Sequence, residues 1–263
     1  MLRTRLLTAA VALPLLIFLI HSAPEWGFSS AILVLTGVGL YEYFSLTRAQ
    51  CSLSPVVGGL WGMLVALSML SGDVRLIGAV FILGFVLVFI LSLRDRQPAR
   101  GIQTTSLCVL GVVYIGFLFP HLLWIHRGPE GAGWIFFILL VAMLGDTGGY
   151  AVGRIWGKRK LLPHISPSKT IEGSVGSIGG NCVAALVAWQ YLLPNRSALE
   201  LVLLALLMGV LAQLGDLCES ALKRACSAKD SGRVFPGHGG VLDRIDSLLF
   251  PGAFIYYYNT LWH

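Results

Sequence analysis

Charge is what this sequence has least of. Only 12% of its 263 residues are Asp, Glu, Lys or Arg and 56% are apolar, whereas an ordinary soluble domain carries about 25% charged residues. That shortage excludes a soluble globule. Cysteine is scarce too: five residues (51, 108, 182, 218 and 226), odd in number and mostly inside apolar runs, exclude a disulfide scaffold. Zinc is not the expected metal, because Cys218 and Cys226 stand eight apart with no histidine at ligand spacing to either. No glycine-rich stretch has the context of a P-loop or a dinucleotide fold. The formal charge is +6, but no basic helix is interleaved with aromatics. The anion to expect is therefore phosphate at a membrane surface and not nucleic acid.

What the chain does have is apolar runs of spanning length. Nine are expected, near residues 6–21, 28–46, 53–70, 76–93, 104–125, 133–153, 173–193, 199–222 and 241–260, which predicts an all-α, polytopic membrane protein. The first run follows Arg3 and Arg5, as a signal peptide would. Pro24 directly after the best cleavage position, with eight further spans beyond, favours a retained helix. With the N-terminus in the cytoplasm, fifteen basic residues fall in cytoplasmic segments and three (Arg75, Arg127 and Arg196) outside, with Arg244 set aside inside the last span. The C-terminus is then expected outside. Residues 1–130 read as a scaffold of plain helices, apart from Tyr41 and Glu42. Residues 131–263 read as the catalytic region, with cytoplasmic loops at 154–172 and 223–240. No internal repeat supports an ion-coupled transporter, the alternative from another class.

Asp146, Asp216, Glu219, Asp243 and Asp246 lie in or at the edge of these runs. At about 2.5–3.5 kcal/mol for each carboxylate at the bilayer centre, five would cost roughly 12–18 kcal/mol if left to lipid. They must meet water, cations or metal. Asp216, Glu219, Ser220 and Lys223 share one helical face, and Asp243 and Asp246 stand three apart on the next helix. Two helices offering paired hard oxygen ligands, joined by a loop rich in Lys and Arg, describe a Mg2+ and phosphate site. The loop ends in Pro236-Gly237-His238-Gly239-Gly240 and runs straight into a helix, where backbone N–H groups can meet an anion. In the earlier loop Lys169, flanked by hydroxyls, is a better phosphate ligand than the Lys158-Arg159-Lys160 run, which reads as a membrane-side anchor.

These residues resemble a known family. Ser220-x-Leu222-Lys223-Arg224, then Lys229-Asp230-x-Gly232, then Phe235-Pro236-x-His238-Gly239-Gly240-Val241-x-Asp243-Arg244-Ile245-Asp246 is similar to the signature of the phosphatidate cytidylyltransferases, or CDP-diacylglycerol synthases. Asp146-Thr147-Gly148-Gly149-Tyr150, the stretch from Ser166 to Gly173, and Gly215 to Ser220 also resemble that family's segments. Ser168 and Ile171 depart from it, standing where a basic and an aromatic residue are frequent.

The resemblance implies transfer of CMP from CTP to phosphatidic acid, giving CDP-diacylglycerol and pyrophosphate. A CTP-dependent lipid kinase, attacking the γ-phosphate, would use similar ligands. On the cytidylyltransferase reading Asp216 and Asp243 hold Mg2+, with Glu219 and Asp246 as further ligands or as partners that orient them, and Asp146 ligates metal or orients Lys169. Lys223, Arg224 and Lys229 neutralise the triphosphate, while His238, Gly239 and Gly240 donate to it. Lys169, with Ser166 and Thr170, meets the lipid phosphate or the nucleotide. Ser220, Asp230 and Arg244 complete the signature around the substrates. A second, monovalent cation is left open. The resemblance further implies a homodimer in the bacterial cytoplasmic (inner) membrane, with its site facing the cytoplasm, CTP entering from the cytosol and phosphatidic acid from the inner leaflet.

Overall fold

A chain this apolar must satisfy its backbone hydrogen bonds within each segment, because hydrocarbon offers no partners, and the result is helix almost throughout. The computed structural model describes residues 2–232, 234 and 239–262, with side chains from Ala10 onward. The helices are α1 (Leu2–His21), α2 (Glu25–Leu46), α3 (Pro55–Met69), α4 (Val74–Ser92), α5 (Pro98–Gly111), α6 (His121–Arg127), α7 (Gly131–Trp156), α8 (Ile171–Tyr191), α9 (Ala198–Ala225) and α10 (Leu242–Trp262). A π-helical turn, Val112–Phe117, joins α5 to α6. Local chemistry sets several starts. Ser54 accepts from Val56 N–H with Pro55 opening α3, and Asp73 accepts from Arg75 N–H at the start of α4.

Each of the nine expected segments falls on helix. Among the described residues, six stretches are long and apolar enough to cross a membrane: Glu25–Gln50, Val74–Ser92, Pro98–Arg127, Gly131–Trp156, Ile171–Tyr191 and Ala198–Ala225. The all-α expectation needs one amendment. Strands β1 (Lys160–Leu162) and β2 (Ser166–Thr170) form an antiparallel hairpin, pairing Lys160 with Thr170 and Leu162 with Ser166 across a bulge. Both expected loops are also shorter than the apolar runs suggested, because α7 continues to Trp156 and α9 to Ala225.

The chain divides into two compact units. The first is Met1–Trp124 with Cys226–Ile245, and the second is Ile125–Ala225 with Asp246–His263. In the first, Tyr43 is wholly buried and donates its hydroxyl to the Leu107 carbonyl at 2.9 Å. The Trp124 indole donates to Met69 O at 2.7 Å, tying α6 to the end of α3.

In the second unit, small residues let α7 and α8 approach backbone to backbone, the usual device where apolar packing alone gives helices no preference over lipid. A Cβ on Gly148 would stand 2.6 Å from Gly176 O, and one on Gly180 would stand 2.1 Å from Leu144 O. At Gly179, one position along, a Cβ would meet nothing within 4 Å. The same substitution at neighbouring positions should therefore have opposite results. Gly180→Ala is expected to cost about 1–3 kcal/mol by forcing two backbones apart, whereas Gly179→Ala is neutral or slightly stabilising. Thermal unfolding of the two variants in detergent checks this.

Candidate active site

In the second unit the site grows from the end of the longest helix. Asp216 lies about 27 Å along α9 from its start at 1.5 Å per residue, close to the full thickness of a hydrocarbon core. Asp216 and Glu219 therefore sit toward the far end of this helix. Gly215 makes the meeting with α10 possible, since a Cβ there would lie 2.2 Å from Asp246 O. With the backbones that close, single carboxylate oxygens of Asp216, Glu219 and Asp246 come within 4.8 Å of one another. Glu219 is wholly buried and Asp246 nearly so. Lys223, one turn along α9, pairs with Glu219, and Lys169 of β2 pairs with Asp216. The Ser220 hydroxyl donates to Asp216 Oδ1 at 3.4 Å.

Three carboxylates against two ammonium groups leave this cluster net negative. An all-oxygen, partly dehydrated set of that charge fits a hard divalent cation such as Mg2+ and offers nothing to a soft one. Beside it opens a cavity of about 310 Å³, whose lining includes Asp146, Tyr150, Arg154, Lys169, Gln213 and Asp216. One wall is the glycine face of α7 (Gly145, Gly149 and Gly153), and the facing wall carries the hydroxyls of Thr170, Ser174 and Ser177. Gln213 donates to the Ser177 hydroxyl, and Arg154 donates to the Tyr150 hydroxyl at 2.7 Å. Neither pair was singled out by the sequence.

The hairpin strand puts Lys169 here. Thr170, expected beside the substrate, also caps α8 by accepting from Gly173 N–H at 3.0 Å. Glu172, which sequence places near Lys169, instead accepts from Lys158 and Arg159 N–H and closes the base of the hairpin. Ser166 is buried in β2, and Arg224 donates to Ile165 O at 3.3 Å.

The remaining signature residues belong to the first unit. Asp243 is not among the three clustered carboxylates. Its Oδ2 accepts from Ser231 N–H at 3.1 Å, Ser231 Oγ at 2.9 Å and Gly240 N–H at 2.8 Å. The last of these closes the turn that leads into α10. Gly239 takes the left-handed conformation, φ 83°, that lets the chain make this turn. Lys229, Asp230 and Arg244 are exposed, and His238 lies outside the described residues. One residue of this group stands out in the sequence only as an exception to the plain N-terminal helices, with no role attached: Glu42 of α2, 2% exposed, accepts from Ser231 Oγ, Val241 N–H and Leu242 N–H. Its signal was present as a solitary acid within the apolar run from Val38 to Phe44.

A profile of the cytidylyltransferase family matches residues 3–262. A protein of Bacillus subtilis (strain 168) named phosphatidate cytidylyltransferase is 32% identical over 274 residues, covering 99% of this chain and 98% of its own. Proteins of the same name from Staphylococcus saprophyticus and Staphylococcus epidermidis are 42% identical over 145 residues, 55% of each chain. The match thus spans about half the length of the staphylococcal relatives and nearly all of the Bacillus one.

Removing Lys223 would take one of two cations from three crowded carboxylates. Lys223→Met, measured with chelator present, is expected to lose about 3–5 kcal/mol, the usual cost of stripping one partner from a buried ion pair. Adding Glu219→Gln should recover most of that loss, because the carboxylate that Lys223 neutralises is then removed with it. A double-mutant cycle on thermal unfolding reads the coupling.

Proposed function

The chain belongs to the cytidylyltransferase family, and from that premise we propose that it transfers CMP from CTP to phosphatidic acid, releasing pyrophosphate and forming CDP-diacylglycerol. The observation that carries the reading is the cluster of Asp216, Glu219, Asp246, Lys169 and Lys223 beside a polar cavity. It is equipped to hold phosphates, and on this reading no side chain has to act as nucleophile.

None is needed. A phosphate oxygen of phosphatidic acid attacks the α-phosphorus of CTP, the bond to the β-phosphate oxygen breaks, and pyrophosphate leaves with that electron pair. The nucleophile is already ionised, so no general base is required. What remains is to bring two anions together in line and to stabilise charge on the equatorial oxygens. Asp216, Glu219 and Asp246 would hold Mg2+, which when bound supplies Lewis-acid neutralisation of phosphate oxygens. Lys169 and Lys223 fix the carboxylates through their ion pairs and can exchange them for phosphate oxygens. Lys169 reaches the cavity from the hairpin, where Ser174, Ser177 and Gln213 offer neutral hydrogen-bonding groups. Arg224 adds positive charge for the leaving pyrophosphate. Asp243 contributes by ordering the start of α10.

The same reading extends to topology. Nine spans with the N-terminus in the cytoplasm and the C-terminus outside put the ends of α7 and α9 and the start of α10 on the cytoplasmic side of the inner membrane. CTP then arrives from the cytosol and phosphatidic acid sideways from the inner leaflet. The fifteen-to-three division of basic residues supports this sidedness. A homodimer and a second, monovalent cation belong to the reading as further proposals.

CTP labelled separately at the α and γ positions tests the reaction with purified protein, phosphatidic acid and Mg2+. Label from the α position is expected in the lipid, and label from γ alone would make the protein a lipid kinase. Asp216→Asn is expected to lower turnover at least a hundredfold in protein that remains folded.

A further inference from the structure

Helix α10 starts without a capping side chain of its own. Its N-cap position is Val241, whose side chain has no acceptor to give, although the first N–H groups of a helix need acceptors and find no water inside a membrane protein. The acceptors come from far away in sequence. Glu42 Oε1 takes Val241 N–H at 3.0 Å, and Oε2 takes Leu242 N–H at 2.9 Å and the Ser231 hydroxyl at 3.2 Å. The partners named are all neutral donors, and together with the positive end of the helix dipole they compensate a carboxylate that is 2% exposed.

The loop is shaped around this carboxylate. A Cβ on Gly232 would stand 2.2 Å from Glu42 Oε1, and one on Gly240 would stand 2.4 Å from Oε2. Ser231 then bridges Glu42 to Asp243, its hydroxyl lying 3.2 Å from one carboxylate and 2.9 Å from the other. Glycine at two positions, serine at a third and the backbone of a fourth and fifth thus all address one side chain of α2.

We propose that Glu42 is a positioning residue. It supplies from the N-terminal helices the cap that α10 lacks, and so holds Asp243 and the flanks of the signature loop in the arrangement that the transfer reaction uses. The consequence for catalysis rests on the cytidylyltransferase reading above. The cap itself does not.

The test uses the full chain in lipid nanodiscs, with Glu42→Gln as the main variant. Glutamine fills the same space but carries one acceptor oxygen and an NH2 group, which would face a donor at Leu242 N–H or Ser231. Amide hydrogen exchange at Val241 and Leu242 is expected to be at least tenfold faster in Glu42→Gln, with exchange in the middle of α2 unchanged. Turnover per folded molecule is expected to fall at least tenfold, and further in Glu42→Ala. Gly240→Ala, which displaces the same carboxylate, should add little to Glu42→Gln when the two are combined. Unchanged exchange at Val241 and Leu242 would overturn the cap. Faster exchange with normal turnover would overturn the positioning role, and so would fully multiplicative losses in the double variant. If the wild-type protein shows no cytidylyl transfer at all, the reaction reading fails, and the exchange measurement still decides whether Glu42 is the cap.

Discussion

The constraint on which this structure depends is the cost of an unsatisfied polar group where there is no water. Each carboxylate kept in so apolar a chain has had to be given donors or cations by the protein itself. Two solutions are present. In the second unit Glu219 and Asp216 are met by ammonium groups, giving a charged cluster with an excess of negative charge that suits a hard cation. In the first unit Glu42 is met by backbone N–H groups and a hydroxyl, so that neutral donors of the loop surround the carboxylate. The same kind of group is thus met once by cations and once by neutral donors, and the kind of partner separates the two settings.

Glycine is the second requirement. The carboxylate cluster exists because Gly215 lets the α9 backbone touch that of Asp246, and one wall of the adjoining cavity exists because α7 presents Gly145, Gly149 and Gly153. A Cβ at Gly145 would stand 2.5 Å from Asn181 Oδ1 and one at Gly153 3.0 Å from Thr170 Oγ1, so these glycines set how closely α7 meets the facing wall. In a water-soluble enzyme such closeness is often bought by burying apolar surface. Between lipid-exposed helices it rests on small residues and on the dispersion contacts they permit.

Much of this was legible in the sequence because it follows from a helical period. Asp216, Glu219 and Lys223 fall on one face by spacing alone, and the apolar runs locate helices to within a few residues. What escaped was whatever depends on meetings between distant segments. Nothing local says that Asp246 joins Asp216 and Glu219 while Asp243, three residues earlier, turns to Ser231 and Gly240. Glu42 could be noticed as an anomaly, but its partners stand 189 to 200 residues away. The hairpin escaped for a different reason: its strands are three and five residues long and contain Pro167, so no alternation announces them. Lys169 was chosen for its hydroxyl neighbours, whereas its place at the site comes from the strand that carries it.

The membership of Cys226–Ile245 in the first unit bears on how the protein is made. Helices enter a membrane in the order of their synthesis, and at about 5–20 residues per second the acceptor on α2 precedes its donors by about 10–40 s. During that interval the N-terminal bundle is assembled around a carboxylate that has not yet met its partners. The first unit is completed only when the chain is nearly finished, by a segment that arrives between two helices of the second. Assembly of the two units is therefore interleaved in time, and a ribosome that stalls before residue 231 leaves α1 to α6 made around an acid whose donors Ser231, Val241 and Leu242 do not yet exist.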